Sequence, residues 1–178
     1  IGIAGMDRVT RFNVIAMSGK AVEACGDVDT MILDKTGTIT FGNRLAAEFY
    51  PVKGASREEL IQFSVMSSLL DPTPEGKSTV ELGRKQGCIL GAEVPAGMTF
   101  VEFTAQSKMS GVNMADGTIV RKGASSAVQA MVKEMGGTIP EDLEEIVNRV
   151  SNLGGTPLAV AVGKRILGVI YLCLLYTS

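Results

Sequence analysis

The chain has 178 residues, enough for one ordinary domain, or for a domain of about 130 residues with part of another. Its formal net charge of −2 gives no broad positive field, so nucleic acid is not an expected partner. Histidine is absent and the three cysteines are widely spaced, which excludes histidine-based catalytic triads and most zinc sites and is typical of a reduced, cytosolic setting.

The first predicted element is a buried strand over residues 28–34, an apolar run that ends in Asp34. Lys35 and Thr36 then open a tight loop. Asp34 is therefore expected at the carboxyl end of a strand, where open α/β sheets bind their ligands. The alternative is a turn aspartate without a chemical role.

A domain boundary is predicted near residue 43, because glycine and asparagine interrupt the chain there before an alternating strand over 45–52. Ser56 and Glu59 form a capping box that starts a helix over 57–70. Further helices are predicted over 75–86, 124–135 and 141–153, and strands over 100–103, 109–113, 119–122, 157–162 and 165–172. This α/β order favours an antiparallel sheet flanked by helices.

The string from Asp34 to Thr40, Asp-Lys-Thr-Gly-Thr-Ile-Thr, resembles the phosphorylation motif of P-type ATPases. A carboxylate such as Asp34 can attack the terminal phosphate of ATP and form an acyl phosphate when Mg²⁺ and fixed donors offset the charge. The resemblance implies an incomplete Mg²⁺ site at Asp34 and Thr36. Lys35 either neutralises phosphate charge or is a solvated loop lysine.

A phosphatase of the haloacid-dehalogenase-like class is the alternative reading of the same motif. Such enzymes carry a second aspartate two residues after the nucleophile, as general acid and base, but this chain has Thr36 there. A threonine hydroxyl does not activate water as a carboxylate does, so the phosphoenzyme is expected to persist. A long-lived phosphoenzyme suits a pump.

A nucleotide pocket is predicted from two segments, residues 103–111 and 121–124, which fit adjacent strands of one sheet. That arrangement would bring Phe103 and Lys122 together, so that the phenyl ring stacks on adenine while the ammonium adds cation–π or phosphate attraction. Gly123 would remove a side chain where the purine comes close. The alternative is a core aromatic and a surface lysine.

The same segments resemble those that line the ATP pocket of the B subunit of Kdp-type potassium-transporting ATPases. Other matching stretches lie at 13–16, 18–19, 21–24, 42–44 and 73–76, so the likeness runs from Ile1 to about Leu172. It implies that Glu75 and Ser110 also line the pocket. Glu75 could equally be a carboxylate that interacts with a helix dipole.

One motif is rejected. Residues 76–79, Gly-Lys-Ser-Thr, look like the end of a P-loop, but the glycine required five residues earlier is Asp71. Lys77 is therefore interpreted as a helix-surface residue.

The resemblance implies three segments: the end of a membrane helix with part of a haloacid-dehalogenase-like phosphorylation domain (1–43), a nucleotide-binding domain (44–172), and a tail that we expect to be non-native (173–178). It implies a truncated piece of a bacterial inner-membrane enzyme, facing the cytoplasm, that binds ATP and Mg²⁺ and imports potassium with other subunits. By itself the piece is expected to bind ATP without completing turnover. A stand-alone ATP-binding module without catalysis is the alternative.

Overall fold

The computed structural model describes residues 2–33, 40–90 and 94–176. The chain divides into two compact units, Ile1–Lys35 and Thr36–Ser178. The domain limits at residues 43 and 172 stay predictions. In the described ranges, no helix combines the length and the apolar character that a bilayer crossing requires.

The first unit contains two short helices, α1 (Gly2–Thr10) and α2 (Gly19–Gly26). The predicted buried strand over 28–34 is wrong for its described part, residues 28–33, which form no strand. Ile32 there is 95% exposed. A strand needs a paired neighbour, and every strand among the described residues lies between 40 and 176, in the sheet of the second unit.

In its described residues, the second unit is a six-stranded sheet with four helices. Its elements are β1 (Thr40–Pro51), α3 (Arg57–Met66), α4 (Pro74–Lys85), β2 (Thr99–Val101), β3 (Met109–Asn113), β4 (Ile119–Ala124), α5 (Ser125–Glu134), α6 (Leu143–Asn152), β5 (Thr156–Val162) and β6 (Arg165–Tyr176). The strand order is β1-β6-β5-β4-β3-β2, and every neighbouring pair is antiparallel. The predicted antiparallel sheet with flanking helices is confirmed.

Local signals account for several of these boundaries. Ser56 Oγ accepts the Glu59 N–H at 3.0 Å, which caps α3 as its sequence predicts. The β3–β4 turn contains Gly117 at φ +86°, and the carboxylate of Asp116 accepts the Thr118 N–H at 2.8 Å. A second tight turn, at Gly163, joins β5 to β6.

The sheet is covered by helices on both faces. Alternation along β5 sends Ala159 and Ala161 to the face packed by α5 and α6, and Val160 to the face packed by α3. The α5–α6 side is formed by Val128, Val132, Leu143 and Val150. The α3 side contains Phe49, Leu60, Val65 and Ile170, and it continues beneath β3 and β4 as a cluster of Met66, Met98, Val112 and Val120.

Candidate functional site

The residue at the centre of the site is Lys122, in the middle of β4. It lies on the same face of that strand as Val120, beneath the end of α3, and it is only 3% exposed. Its ammonium donates hydrogen bonds to Asp71 Oδ2 and Ser68 Oγ, both at 2.7 Å. Two of the three N–H donors of the ammonium are therefore committed to a buried carboxylate and a buried hydroxyl.

Asp71 is held in place by the start of α4. Its Oδ1 accepts the Thr73 N–H at 3.0 Å and the Thr73 hydroxyl at 2.6 Å, and Thr73 Oγ1 in turn accepts the Gly76 N–H at 3.1 Å. A Cβ at position 76 would come within 2.5 Å of the Asp71 Cγ. Glycine at position 76 therefore lets the carboxylate fit against the helix, and Thr73 both caps α4 and fixes Asp71.

Burial and charge act in opposite directions on this pair. Burial lowers the pKa of Lys122, while the hydrogen bond and charge of Asp71 and the charge of Glu75 limit that fall. Burial alone would raise the pKa of Asp71, but hydrogen bonds from Lys122 and Thr73 and the charge of Lys122 outweigh it, so that this pKa is lowered. Asp71 is therefore ionised at neutral pH.

Three further predicted residues lie around Lys122. Ser110 is its direct partner across the β3–β4 register and is 6% exposed. Glu75, in the first turn of α4, is close enough for its charge to influence Lys122. Gly123 is opposite Met109, and a Cβ there would collide with the Lys108 carbonyl oxygen. Close backbone packing alone thus requires glycine at position 123.

The two predicted segments do lie on adjacent strands, since residues 109–111 of β3 pair with residues 121–123 of β4. The prediction that Phe103 is part of this pairing is wrong. β2 ends at Val101, and β3 separates it from β4, so Phe103 lies in the loop that joins β2 to β3. The strand stops there because the hydroxyl of Thr104 accepts the Ser107 N–H at 3.0 Å and starts a turn. The ring of Phe103 is 60% exposed, unlike the core aromatic of the alternative interpretation.

The hairpin formed by β2 and β3 opens beside Lys122. The last β2–β3 pair is Val101 with Gly111, whereas β3 continues to pair with β4 through Ser110 and Met109. The chain thus leaves the edge of the sheet next to Ser110, and Phe103 follows two residues after the last pair.

The residues predicted for phosphoryl transfer, Asp34, Lys35 and Thr36, lie outside the described residues. Within the described ranges, no group of three or more acidic or cysteine side chains is arranged to hold a metal ion. The rejected P-loop lies on α4, where Lys77 is exposed, so its interpretation as a helix-surface residue is confirmed.

Sequence reasoning missed Asp71 and Ser68 as partners of Lys122. Asp71 entered the sequence argument only as the residue that breaks the P-loop pattern. The available signal was an acidic residue between two predicted helices, next to Pro72. Both residues also line a groove of about 680 Å³ along α4, whose lining includes neither Lys122 nor Phe103.

Solved structures with the same fold include a zinc-transporting PIB-type ATPase in the E2·Pi state, which matches 99% of this chain and 26% of its own at a TM-score of 0.65 and 20% identity. The N-domain of HMA6, a copper-transporting P-type ATPase, matches 73% of this chain and 98% of its own at a TM-score of 0.50 and 17% identity. At these identities the likeness concerns the fold alone. The fold of the sheet unit is that of a P-type ATPase nucleotide-binding domain.

Relatives with high sequence identity show to which group of P-type ATPases the chain belongs. The potassium-transporting ATPase ATP-binding subunit of Clostridium acetobutylicum is 64% identical over 172 residues, and that of Caldanaerobacter subterraneus subsp. tengcongensis is 60% identical over the same length. Both alignments cover 97% of this chain and 25% of the relative. No protein-family model matches the chain. The chain belongs with these potassium-transporting ATPase subunits, and it spans about a quarter of their length.

Proposed function

We propose that this chain is the ATP-binding and phosphorylation region of a P-type ATPase that imports potassium. ATP binds beside Lys122, and a carboxylate oxygen of Asp34 attacks its terminal phosphorus. The bond from that phosphorus to the bridging oxygen breaks, ADP leaves, and an acyl phosphate remains on Asp34 until water hydrolyses it. The cycle of phosphorylation and hydrolysis drives conformational change in the parent protein.

The observation that carries the ATP-binding part is the opening of the β2–β3 hairpin beside a buried lysine. Phe103, which is exposed, follows two residues after the last β2–β3 pair, and Lys122, whose strand partner Ser110 comes directly before that pair on β3, has its counter-charge, Asp71, already in place. An aromatic face and a desolvated ammonium are the groups that hold a purine by stacking and by cation–π attraction. Ser110, the direct partner of Lys122 in the β3–β4 pairing, adds a hydroxyl next to it.

The phosphoryl-transfer part rests on sequence. Asp34 and Thr36 supply the oxygen ligands that Mg²⁺ prefers, and the bound ion would neutralise charge on the transferring phosphate. The alternative of a haloacid-dehalogenase-like phosphatase lacks the second aspartate, since Thr36 takes its place.

We extend the proposal to the parent protein, its partners and its location, and the description of the relatives supports this extension. Their shared description, ATP-binding subunit of a potassium-transporting ATPase, implies further subunits that complete the transport complex. We place this chain in the cytoplasmic portion of a bacterial inner-membrane protein, because cytosolic ATP must reach Lys122 and Phe103.

The proposal is tested by titrating the 178-residue chain with ATP and following the backbone amide shifts. Saturable shifts are expected at residues 103–111 and 121–124. Phe103→Ala should raise the Kd about tenfold, because stacking of a base on an aromatic ring is worth about 1–3 kcal/mol. Leu153→Ala, which truncates another exposed apolar side chain at the end of α6, should leave the Kd unchanged.

Tripolyphosphate provides the matched ligand control. Since it lacks the base, it should bind much more weakly than ATP and should be insensitive to Phe103→Ala. A folded chain that shows no saturable shift with millimolar ATP would contradict the proposed site. Equal effects of Phe103→Ala and Leu153→Ala on the Kd would also contradict it.

A further inference from the structure

The loop between β2 and β3 is closed by its own hydrogen bonds. The Thr104 carbonyl accepts the Lys108 N–H at 2.8 Å, and the Thr104 hydroxyl accepts the Ser107 N–H at 3.0 Å. The same Thr104 hydroxyl donates to Ser107 Oγ at 2.8 Å, and Ser107 Oγ donates to the Met109 carbonyl at 3.2 Å. We call the segment from Thr104 to Lys108 the clip.

The clip is also fixed to β4. The Lys108 carbonyl accepts the Ala124 N–H at 3.0 Å, just before α5 begins. To make this contact Lys108 adopts a left-handed backbone at φ +52°, which is unfavourable for a lysine and persists only where the surroundings hold it. The missing Cβ of Gly123 provides the necessary space. Together, Lys108, Gly123 and Ala124 set where the clip lies.

Phe103 immediately precedes the clip. With 60% of its surface exposed, the ring is held less by packing than the aromatic residues of the core, so its position depends largely on its backbone. Fixing a contact residue before the ligand arrives reduces the ordering cost of binding. The side chains of Thr104, which is exposed, and Ser107, which is partly buried, make the hydrogen bonds that define this backbone.

We propose that Thr104 is a positioning residue for the nucleotide site, which acts through Phe103 by closing the clip and needs no contact of its own with the nucleotide. This inference rests on the proposed function, in which Phe103 stacks on the adenine. It adds to that function a reason for the hydroxyl residues that follow the phenylalanine. The conformation of the loop is set before ATP binds.

The test is a set of ATP titrations on the 178-residue chain with Thr104→Val and Thr104→Ser, each made with Phe103 present and with Phe103→Ala. Valine keeps the shape of threonine without the hydroxyl. Thr104→Val should raise the Kd about fivefold, the change expected for the loss of one net hydrogen bond. Thr104→Ser keeps the hydroxyl and should restore a Kd near that of the wild type.

The Phe103→Ala background decides how Thr104 acts. If the clip works through the ring, Thr104→Val changes the Kd by less than about twofold once the ring is gone, because the two substitutions remove one shared effect. An equal loss in both backgrounds would show that Thr104 contacts the nucleotide or supports another group, and would overturn the inference. No loss in either background would also overturn it.

A measurement without ATP separates this inference from the proposed function. The ¹⁵N order parameter of the Phe103 amide should fall in Thr104→Val and recover in Thr104→Ser. If the wild type binds ATP but this order parameter does not change, the positioning role of Thr104 is contradicted and the proposed ATP-binding function is not. If the order parameter changes as expected but the wild type shows no saturable ATP shift, the site assignment fails, and the positioning role fails with it.

Discussion

A lysine ammonium withdrawn from water must be compensated, and here Asp71 compensates it. The side chains of Lys122 and Asp71 are 4% and 6% exposed, and Lys122 Nζ lies 2.7 Å from Asp71 Oδ2. The pair is worth little in isolation, because desolvation offsets most of the attraction. Its value to the site is positional, since it holds a cation at a fixed place beside the opening between β2 and β3.

Asp71→Asn should lower the free energy of unfolding at neutral pH by about 3–5 kcal/mol, because the buried Lys122 loses its counter-charge. The pKa of Asp71 is lower in the folded chain than in the unfolded chain, where it is about 3.9. Ionised Asp71 therefore stabilises the fold at pH values above the unfolded pKa. This stabilisation is lost as the pH falls through the pKa of Asp71 in the folded chain. Urea unfolding at neutral and acidic pH should therefore show a smaller acid loss in Asp71→Asn than in the wild type.

Asp116→Asn is the matched control for that experiment. Asp116 lies in the β3–β4 turn, is exposed, and accepts a backbone hydrogen bond that asparagine can also accept. Its substitution should change the stability at neutral pH far less. Equal stability losses for Asp116→Asn and Asp71→Asn, or parallel acid profiles for Asp71→Asn and the wild type, would contradict the assigned role of Asp71.

At the scale of elements, the start of α4 links helix stability to the site. Thr73 caps the helix through Gly76 and donates to Asp71 with the same hydroxyl. Thr73→Ala should therefore lower the free energy of unfolding by about 1–2 kcal/mol, at the upper end of the range for losing a cap. Thr73→Ser should stay within about 0.5 kcal/mol of the wild type, as urea denaturation would measure.

A second outcome distinguishes the two roles of Thr73. If the hydroxyl acts only as a cap, Thr73→Ala should have the same cost with Asp71 present and with Asp71→Asn. If it also fixes the carboxylate, the cost should be smaller in the Asp71→Asn background, because the Thr73 hydroxyl then donates to a neutral amide oxygen and its bond is no longer strengthened by charge. Full additivity would contradict the shared hydrogen-bond network.

Elements with strong local signals could be predicted from sequence. β3 was predicted over 109–113 and is found there, and α3 begins after the predicted cap at Ser56. The strand over 28–34 could not be judged in the same way, because apolar composition does not reveal whether a pairing strand is present. Phe103 was placed in a strand because its composition fits one, whereas the turn made by the next residue's hydroxyl ends β2 at Val101.

The residues of the candidate site also differ in whether a local sequence signal marks them. Phe103, Lys122 and Gly123 were predicted from short contiguous motifs, and Ser110 from the family resemblance; their roles at a nucleotide site stay predictions. Asp71 was missed because its contact with Lys122 spans 51 residues of sequence and depends on how α4 packs against the sheet. Long-range polar contacts have no periodic signature, so the ion pair emerged only from the structure.

At the scale of the whole sheet unit, β1 and β6 are neighbours although they begin and end it. Their pairing continues past Leu172, with Cys173 opposite Leu45, Leu174 opposite Arg44 and Tyr176 opposite Thr40. Among the residues of β6 whose burial the structure describes, Leu172, at 3% exposed, is the last buried one, and Cys173 and Leu174 are only partly buried. The backbone pairing of β6 with β1 therefore continues past its last buried residue in that range.

A chain that ends at residue 172 should remain folded and lose about 1–3 kcal/mol of unfolding free energy, the value of a few strand hydrogen bonds. A chain that ends at 176 is the control and should match the full length. Both should bind ATP equally well, because β3 and β4 lie on the far side of β5 from this edge. Thermal unfolding would show whether the chain that ends at 172 is folded. If it is not, the expectation that the fold does not need the residues after 172 is contradicted.

The antiparallel pairing of β1 with β6 also determines how the sheet unit would respond to tension. The chain enters at Thr40 and leaves at Tyr176, which face each other across one ladder. Force applied through these two points acts along hydrogen bonds that run perpendicular to the strands, and it loads them one pair at a time. The β1–β6 ladder would therefore open from that end, one pair at a time and at low force, while the pairs around Lys122 in β4, which β5 separates from β6, were still intact.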